Sequence, residues 1–359
     1  MFNKLSVLTA MTAVVLLPFA AHAEQVVVAH AAGINGNAVE AILKDYSAAT
    51  GVDAVGITMS DTDYGAKMQL AARTGRSDFD LALGVTSDIY NLIQPQGVFT
   101  AIDTSGWNAD VLDAMKEAGL IGEDYAVSQD TAALLVYSPT FEDDAPASWS
   151  DFFDTAKWPG NRGMASGGMG VPINLEYALI ASGVQPDELY PLDLEKAFAE
   201  LDRVADSIVL WDNAPKGIQD LVNGDTVMTW SYAPAALSAV KAGQDIKLAA
   251  PPGTAVARQY AVVMEGAPNG NEAAQQFLKW WFEPEQQVKY TELTNYGIVV
   301  PSPLITGNFT EEQQAYMPFS GNHPENYRTI NYDYYSSEGD LGQSNLSLVL
   351  DGWNNFRAR

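Results

Sequence analysis

Trp211-Asp212-Asn213-Ala214-Pro215 and, a few residues on, Val227-Met228-Thr229-Trp230-Ser231-Tyr232-Ala233-Pro234 decide the fold, because they read as a helix feeding a short buried strand. Asp212 or Asn213 can cap that helix, and Pro215 falls in its first turn, where the missing N–H does no harm. Ile218, Leu221 and Val222 make one apolar face at spacings of three and four, and Asn223-Gly224-Asp225 ends the helix and turns the chain. Val227 to Trp230 is then a strand. In an open α/β sheet ligands sit just outside the carboxyl ends of strands, so Trp230, Ser231 and Tyr232 are expected at a ligand mouth. The competing reading is that Trp230 simply packs in the core, the common use of a large aromatic.

Outward from this stretch the same alternation recurs. Gln25 to His30 reads as a first strand, a helix follows Asn35-Gly36-Asn37 with Ala38, Ile42 and Tyr46 on one face, and Val52 to Met59 is a second strand. Strand, helix, strand is a parallel crossover unit. Tyr64 to Thr74 is the next helix, and Asp80 to Val85 a third strand ending in Thr86-Ser87. Val127 to Tyr137 is mostly extended with polar residues at its start, and Arg258 to Met264 has the same character, which marks two crossings between lobes. Ser148-Trp149-Ser150-Asp151 is a capping box. The loop Ser166-Gly167-Gly168-Met169-Gly170 opens a helix near Pro172, and the free N–H groups of such a start favour an anion. The expected fold is α/β and two-lobed, each lobe a mostly parallel sheet flanked by helices.

Composition narrows the function. The chain has 359 residues, 47% of them hydrophobic, enough for two cored lobes. Lys4 followed by the apolar run Leu5 to Phe19 and by Ala21-His22-Ala23 reads as a cleavable signal peptide over residues 1–23, too short for a retained span. Its removal takes away one Lys and no acid, so the net charge goes from −26 to −27. That charge repels nucleic acid and anionic membranes. With no Cys and two His left after cleavage, disulfides, Cys nucleophiles and His-based zinc or triad sites are not expected, and an exported chain without disulfides suits a periplasm. No catalytic constellation, cofactor motif or P-loop is present.

Four segments taken together resemble the periplasmic solute-binding proteins of ABC importers, in the branch of spermidine and putrescine binders. They are Ser148 to Phe153 with Trp158-Pro159-Gly160-Asn161-Arg162-Gly163; Asn223-Gly224-Asp225 with the strand into Trp230; Thr294-Asn295-Tyr296-Gly297 through Pro301; and Trp353-Asn354-Asn355-Phe356. The resemblance implies a type II binding-protein fold joined by crossover hinge strands, with residues 24–127 plus 256–300 in one lobe and 129–253 plus 305–359 in the other. It implies a monomer that captures a small polar solute and delivers it to the permease subunits, without chemistry or cofactor. Position by position it points to Trp230, Tyr296 and the pair Thr86-Ser87 as pocket residues.

Departures from the branch leave the ligand's charge open. Where polyamine binders carry an aromatic and acidic run, this chain has Ala29-His30-Ala31-Ala32; where they carry paired carboxylates, it has the Ser166 to Gly170 loop; and at the returning strand it has Ala257-Arg258-Gln259. An amine is implied by resemblance, with Asp61, Asp63, Asp212 or Glu176 as substitute acids. A carboxylate, phosphonate or sulfonate is implied by Arg258 and the Gly-rich helix start. His30, Ser166, Tyr232, Asp212, Arg258 and Gln259 thus join the candidate ligand contacts. A ferric-ion binder using Tyr334-Tyr335, or a secreted hydrolase, is the alternative outside organic-solute capture.

Overall fold

The computed structural model describes residues 24–359 apart from 169, 301, 303, 320, 340 and 341; the signal-peptide segment lies outside the described residues, as does Met169 of the Gly-rich loop. Eleven strands are present among them: β1 (Gln25–His30), β2 (Asp53–Thr58), β3 (Leu81–Thr86), β4 (Phe99–Thr100), β5 (Ala126–Tyr137), β6 (Arg162–Ala165), β7 (Ile208–Trp211), β8 (Met228–Tyr232), β9 (Lys247–Ala249), β10 (Thr254–Met264) and β11 (Tyr327–Thr329). They join in the order β2-β1-β3-β10-β5-β8-β6-β7, with β4 and β11 beside β10 and β9 beside β5. β1 runs parallel to β2 and β3, and β6 parallel to β7 and β8, as crossover units require.

Two long antiparallel strands carry the chain from one half to the other. β5 pairs β10 through Ala126 to Ala132 and then β8 through Ala133 to Tyr137; β10 pairs β5 and, further on, β3. The ladder of β10 slips register between Gln259 and Tyr260 against β5, and between Tyr260 and Val262 against β3. A third connection, not expected from sequence, comes from Val299, which bridges Asp130 on β5 by two backbone hydrogen bonds of 2.7 and 3.1 Å. Gly297 in this segment lies so close to Pro234 that a Cβ there would sit 2.6 Å from its backbone, which accounts for glycine in Asn295-Tyr296-Gly297.

Apolar residues gather on the faces of each half. Val26, Val28, Ile42, Phe277 and Trp281 form a core on one face of the β1 side, and Tyr64, Met68 and Phe79 one on the other. Trp149, Phe152, Tyr177, Trp211, Trp230 and Trp353 form the core of the β8 side, to which the terminal helix Asn345–Arg357 contributes Val349 and Trp353. Helix boundaries follow local chemistry. Asn213 caps the helix Ala214–Asn223, Gly224 closes it at φ 82°, and Ser148 and Asp151 complete the expected capping box. Two starts differ: the helix after β1 begins at Gly33, which puts Asn35 in its first turn, and the next helix begins at Asp61, three residues before Tyr64.

Arg162 explains the family-like motif around it. The guanidinium is fully buried and donates to the carbonyls of Phe152, Asp154, Trp158 and Gly160, so it ties the capping-box helix to the turn before β6. Burial lowers its pKa to about 10, and those four carbonyls are what make a buried charge tolerable.

Candidate functional site

Where β3, β5 and β10 leave the first lobe they face β8 and the segment after β11 across a cavity of about 270 Å³. Its lining is Asn35, Thr86, Asp88, Ile298 and Tyr332 together with Gln129, Thr131, Ala257 and Gln259 of the two long strands and Tyr232 at the end of β8. That volume lies below the roughly 300–1,000 Å³ of pockets for drug-sized ligands, so the cleft suits a small solute. It is lined by amides, hydroxyls and one carboxylate, and none of its lining side chains is cationic.

Two polar atoms of this wall, Thr86 Oγ1 and Asp88 Oδ1, are buried and find no hydrogen-bond partner among the described residues. A buried carboxylate oxygen left unpaired costs free energy, so Asp88 Oδ1 has capacity for a donor from outside the chain. Tyr332 faces it. Burial first, then Tyr232 and Asp88 nearby, push the Tyr332 phenol well above its ordinary value, so it keeps its proton.

Strand periodicity decides which of the expected residues reach the cleft. Thr86, Gln259 and Tyr232 line it. Arg258 does not: on β10 it points to the opposite face, where Nε and Nη2 bond both oxygens of Asp130 at 3.0 and 2.8 Å, and its guanidinium lies 5.6 Å from the Phe319 ring. Gln129 and Gln259 stand opposite each other in the ladder, as do Asp130 and Arg258, so one cross-strand pair faces the cleft and the next faces away.

Trp230 is 1% exposed and lies in the core among Trp211, Tyr177 and Tyr232, with Nε1 donating to Asn174 Oδ1 at 2.7 Å. The strand runs on to Tyr232, so the mouth begins two residues later than expected. Tyr296 lines a different cavity, with Tyr137, Leu248 and Tyr316. Ser87 is buried and donates to the Arg258 carbonyl at 2.8 Å. The buried His30 sits against Glu40 at 3.1 Å. Asp212 is exposed and accepts from Asn213, and the Ser166 carbonyl accepts from Trp353 and Arg357 of the terminal helix.

Three of the four substitute acids, Asp212 among them, are engaged elsewhere, and the side chain of the fourth, Asp61, lies outside the described residues. Glu176 is fully buried beneath Arg328, Tyr190 and Tyr335, and Asp63 completes the capping box of the helix Asp61–Thr74. Tyr335, half of the tyrosine pair considered for iron, is one of those donors to Glu176. Asp88, Asn35, Gln129, Thr131 and Tyr332 were missed. Asp88 lies just two residues past the end of β3, where the strand-end rule already pointed, and Gln129 is among the polar residues opening the first crossing.

Comparison with known proteins fixes the family. Residues 41–315 match the family described as bacterial extracellular solute-binding protein. The chain belongs to that family. It is a family of binding proteins and not of enzymes. A gamma-aminobutyric acid-binding protein of Pseudomonas aeruginosa is 30% identical over 213 residues, a match covering 58% of this chain and 58% of that protein. Among solved structures, an ABC transporter substrate-binding protein of Bradyrhizobium japonicum superposes with a TM-score of 0.77 at 23% identity, over 92% of this chain and 99% of that one. The spermidine/putrescine ABC transporter substrate-binding protein of Streptococcus pneumoniae gives 0.72 at 15% identity, over 93% and 99%. These structures share the two-lobed α/β fold described above.

Proposed function

We propose that this chain is the solute-capturing component of an ABC importer, exported to the periplasm on its cleavable leader, acting as a monomer and handing its solute to permease subunits. The lobes, residues 24–127 with 256–300 and 129–253 with the tail, close on the solute. The solute is a small amine. The observation that carries the ligand class is Asp88 Oδ1, buried and unpaired in a cleft without a lining cation. An ammonium satisfies it; an anion would add like charge beside it. Arg258, which favoured an anion at the level of sequence, is already paired with Asp130 on the other face. The names of the relatives, binders of gamma-aminobutyric acid and of polyamines, agree with an amine.

Thermal-shift screening of the mature protein against amines, carboxylates, phosphonates and sugars tests this. A solute at a hundredfold its Kd stabilises by about 2.7 kcal/mol. Asp88→Asn should weaken the amine that binds by about 2–5 kcal/mol in calorimetry, the range for removing one partner of a desolvated charge pair. Stabilisation by anions or sugars alone, or an Asp88→Asn protein with unchanged affinity, would overturn the amine assignment.

A further inference from the structure

The short helix Tyr332–Ser336 of the carboxyl-terminal segment is fastened to the second half of the molecule. The Tyr335 hydroxyl donates to Glu176 Oε1 at 2.6 Å, and the backbone N–H groups of Leu192 and Asn331 donate to the hydroxyls of Tyr334 and Tyr190 at 3.2 and 3.1 Å. The same helix packs on Ser87–Ile93, the helix that continues β3. That one is fixed in the first half: the Tyr90 hydroxyl donates to Asp124, and the Tyr90 ring packs against Phe99 and Tyr125. Asp88 and Asn91 are three residues apart and so share one of its faces. Opposite them stand two consecutive residues, Tyr332, which lines the cleft with Asp88, and Asp333, whose Oδ1 accepts from Asn91 Nδ2 at 2.8 Å. Neither Asn91 nor Asp333 lines the cleft; both line a separate crevice of about 510 Å³.

We infer that Asn91 and Asp333 are the latch of the closed form: positioning residues outside the cleft lining that set how tightly any solute is held. This rests on the two-lobe closure proposed above and names what completes it. Each helix is anchored in its own half, so the two contacts between them form together. Seating Tyr332 beside Asp88 seats Asp333 on Asn91, and parting the lobes breaks both. The latch bond therefore belongs to the closed form, and the apparent affinity scales with the fraction of protein that is closed. A hydrogen bond of ordinary strength shifts that balance by up to about tenfold, enough to prolong capture and too little to prevent release. Asn295 also reaches across, to Ser238 Oγ at 3.0 Å, but next to the Val299 bridge to Asp130, where the halves are already tied by backbone. The pair on Tyr332–Ser336 is the one that shares its two helices with the cleft.

Calorimetry of the mature protein with 4-aminobutyrate and putrescine as probes tests the latch. Asn91→Ala removes the donor without changing charge, Asn91→Asp sets two carboxylates against each other, and each should weaken whichever probe binds by up to about tenfold. Adding Asp333→Asn to Asn91→Asp restores donor and acceptor with their direction reversed, and should bring the affinity back to within about twofold of wild type. A merely structural loss would not be repaired by exchanging the two side chains. Unchanged affinity in both single variants, or no recovery in the exchanged pair, would overturn the latch. A second measurement needs no solute, because the chain has no cysteine of its own. In the folded protein a short bifunctional thiol reagent should join Asn91→Cys to Asp333→Cys much faster than Leu92→Cys to Asp333→Cys, since Leu92 is 58% exposed and turned from the contact. If neither probe binds the wild type, the amine reading falls and the cross-link decides the latch: equal rates for the two cysteine pairs would overturn it.

Discussion

Replacing Arg258 by Ala should unfold the protein more easily and leave the cleft's polar contacts in place. Asp130 is 0% exposed and Arg258 17%, and the pair is bidentate. Truncating the arginine leaves a buried carboxylate whose compensation is gone, which costs about 3–5 kcal/mol, a large share of the ~5–15 kcal/mol by which a domain is stable. Lost contact with Phe319 adds about 0.5–1 kcal/mol at most. The deficit should depend on pH with a definite sign. Burial raises the Asp130 carboxyl above its ordinary value, against the pull of Arg258. Without the guanidinium only burial acts, so the folded-state pKa rises further above the unfolded one. A raised carboxyl contributes stability below its unfolded pKa and loses it as pH rises through the folded one. Urea denaturation followed by tryptophan fluorescence should therefore show the gap between variant and wild type widest near pH 7 and narrowing in acid. A double Asp130→Asn, Arg258→Leu protein should recover most of the loss. Wild-type stability at pH 7 combined with lost solute binding would refute the reasoning and return Arg258 to the ligand.

Trp230→Ala should cost about 3–5 kcal/mol in thermal or urea unfolding, since it empties a core position and removes the donor from Asn174; an intact fold with weakened binding would restore Trp230 to the pocket. Small-angle scattering of the mature protein should give a smaller radius of gyration with saturating amine than without it, as two lobes close; an unchanged radius at saturation would rule closure out.

The architecture was legible because its signals are local and redundant. Alternating strands and helices, Asn213 and Ser148 as caps and Gly224 as a stop each follow from nearest neighbours. The site was only partly legible, and parity is the reason. β5 is almost wholly buried, and Ala257 to Tyr260 of β10 are all half-buried, so no alternation tells which of Arg258 and Gln259 faces the cleft. A strand end misjudged by two residues at β8 likewise placed Trp230 at the mouth together with Tyr232. Tyr332 comes from a remote segment that only the tertiary fold brings beside β5, and Asn35 was hidden by reading a helix's first turn as a loop.

The register slip of β10 beside Gln259 gives the cleft a mechanical character. Both long strands pass from one half of the sheet to the other, and their ladder is interrupted beside Gln259, a residue of the cleft lining. On the proposed closure, bending would concentrate at that interruption, and a solute held by Gln259 would load the pivot itself. Capture and closure would then share one fulcrum.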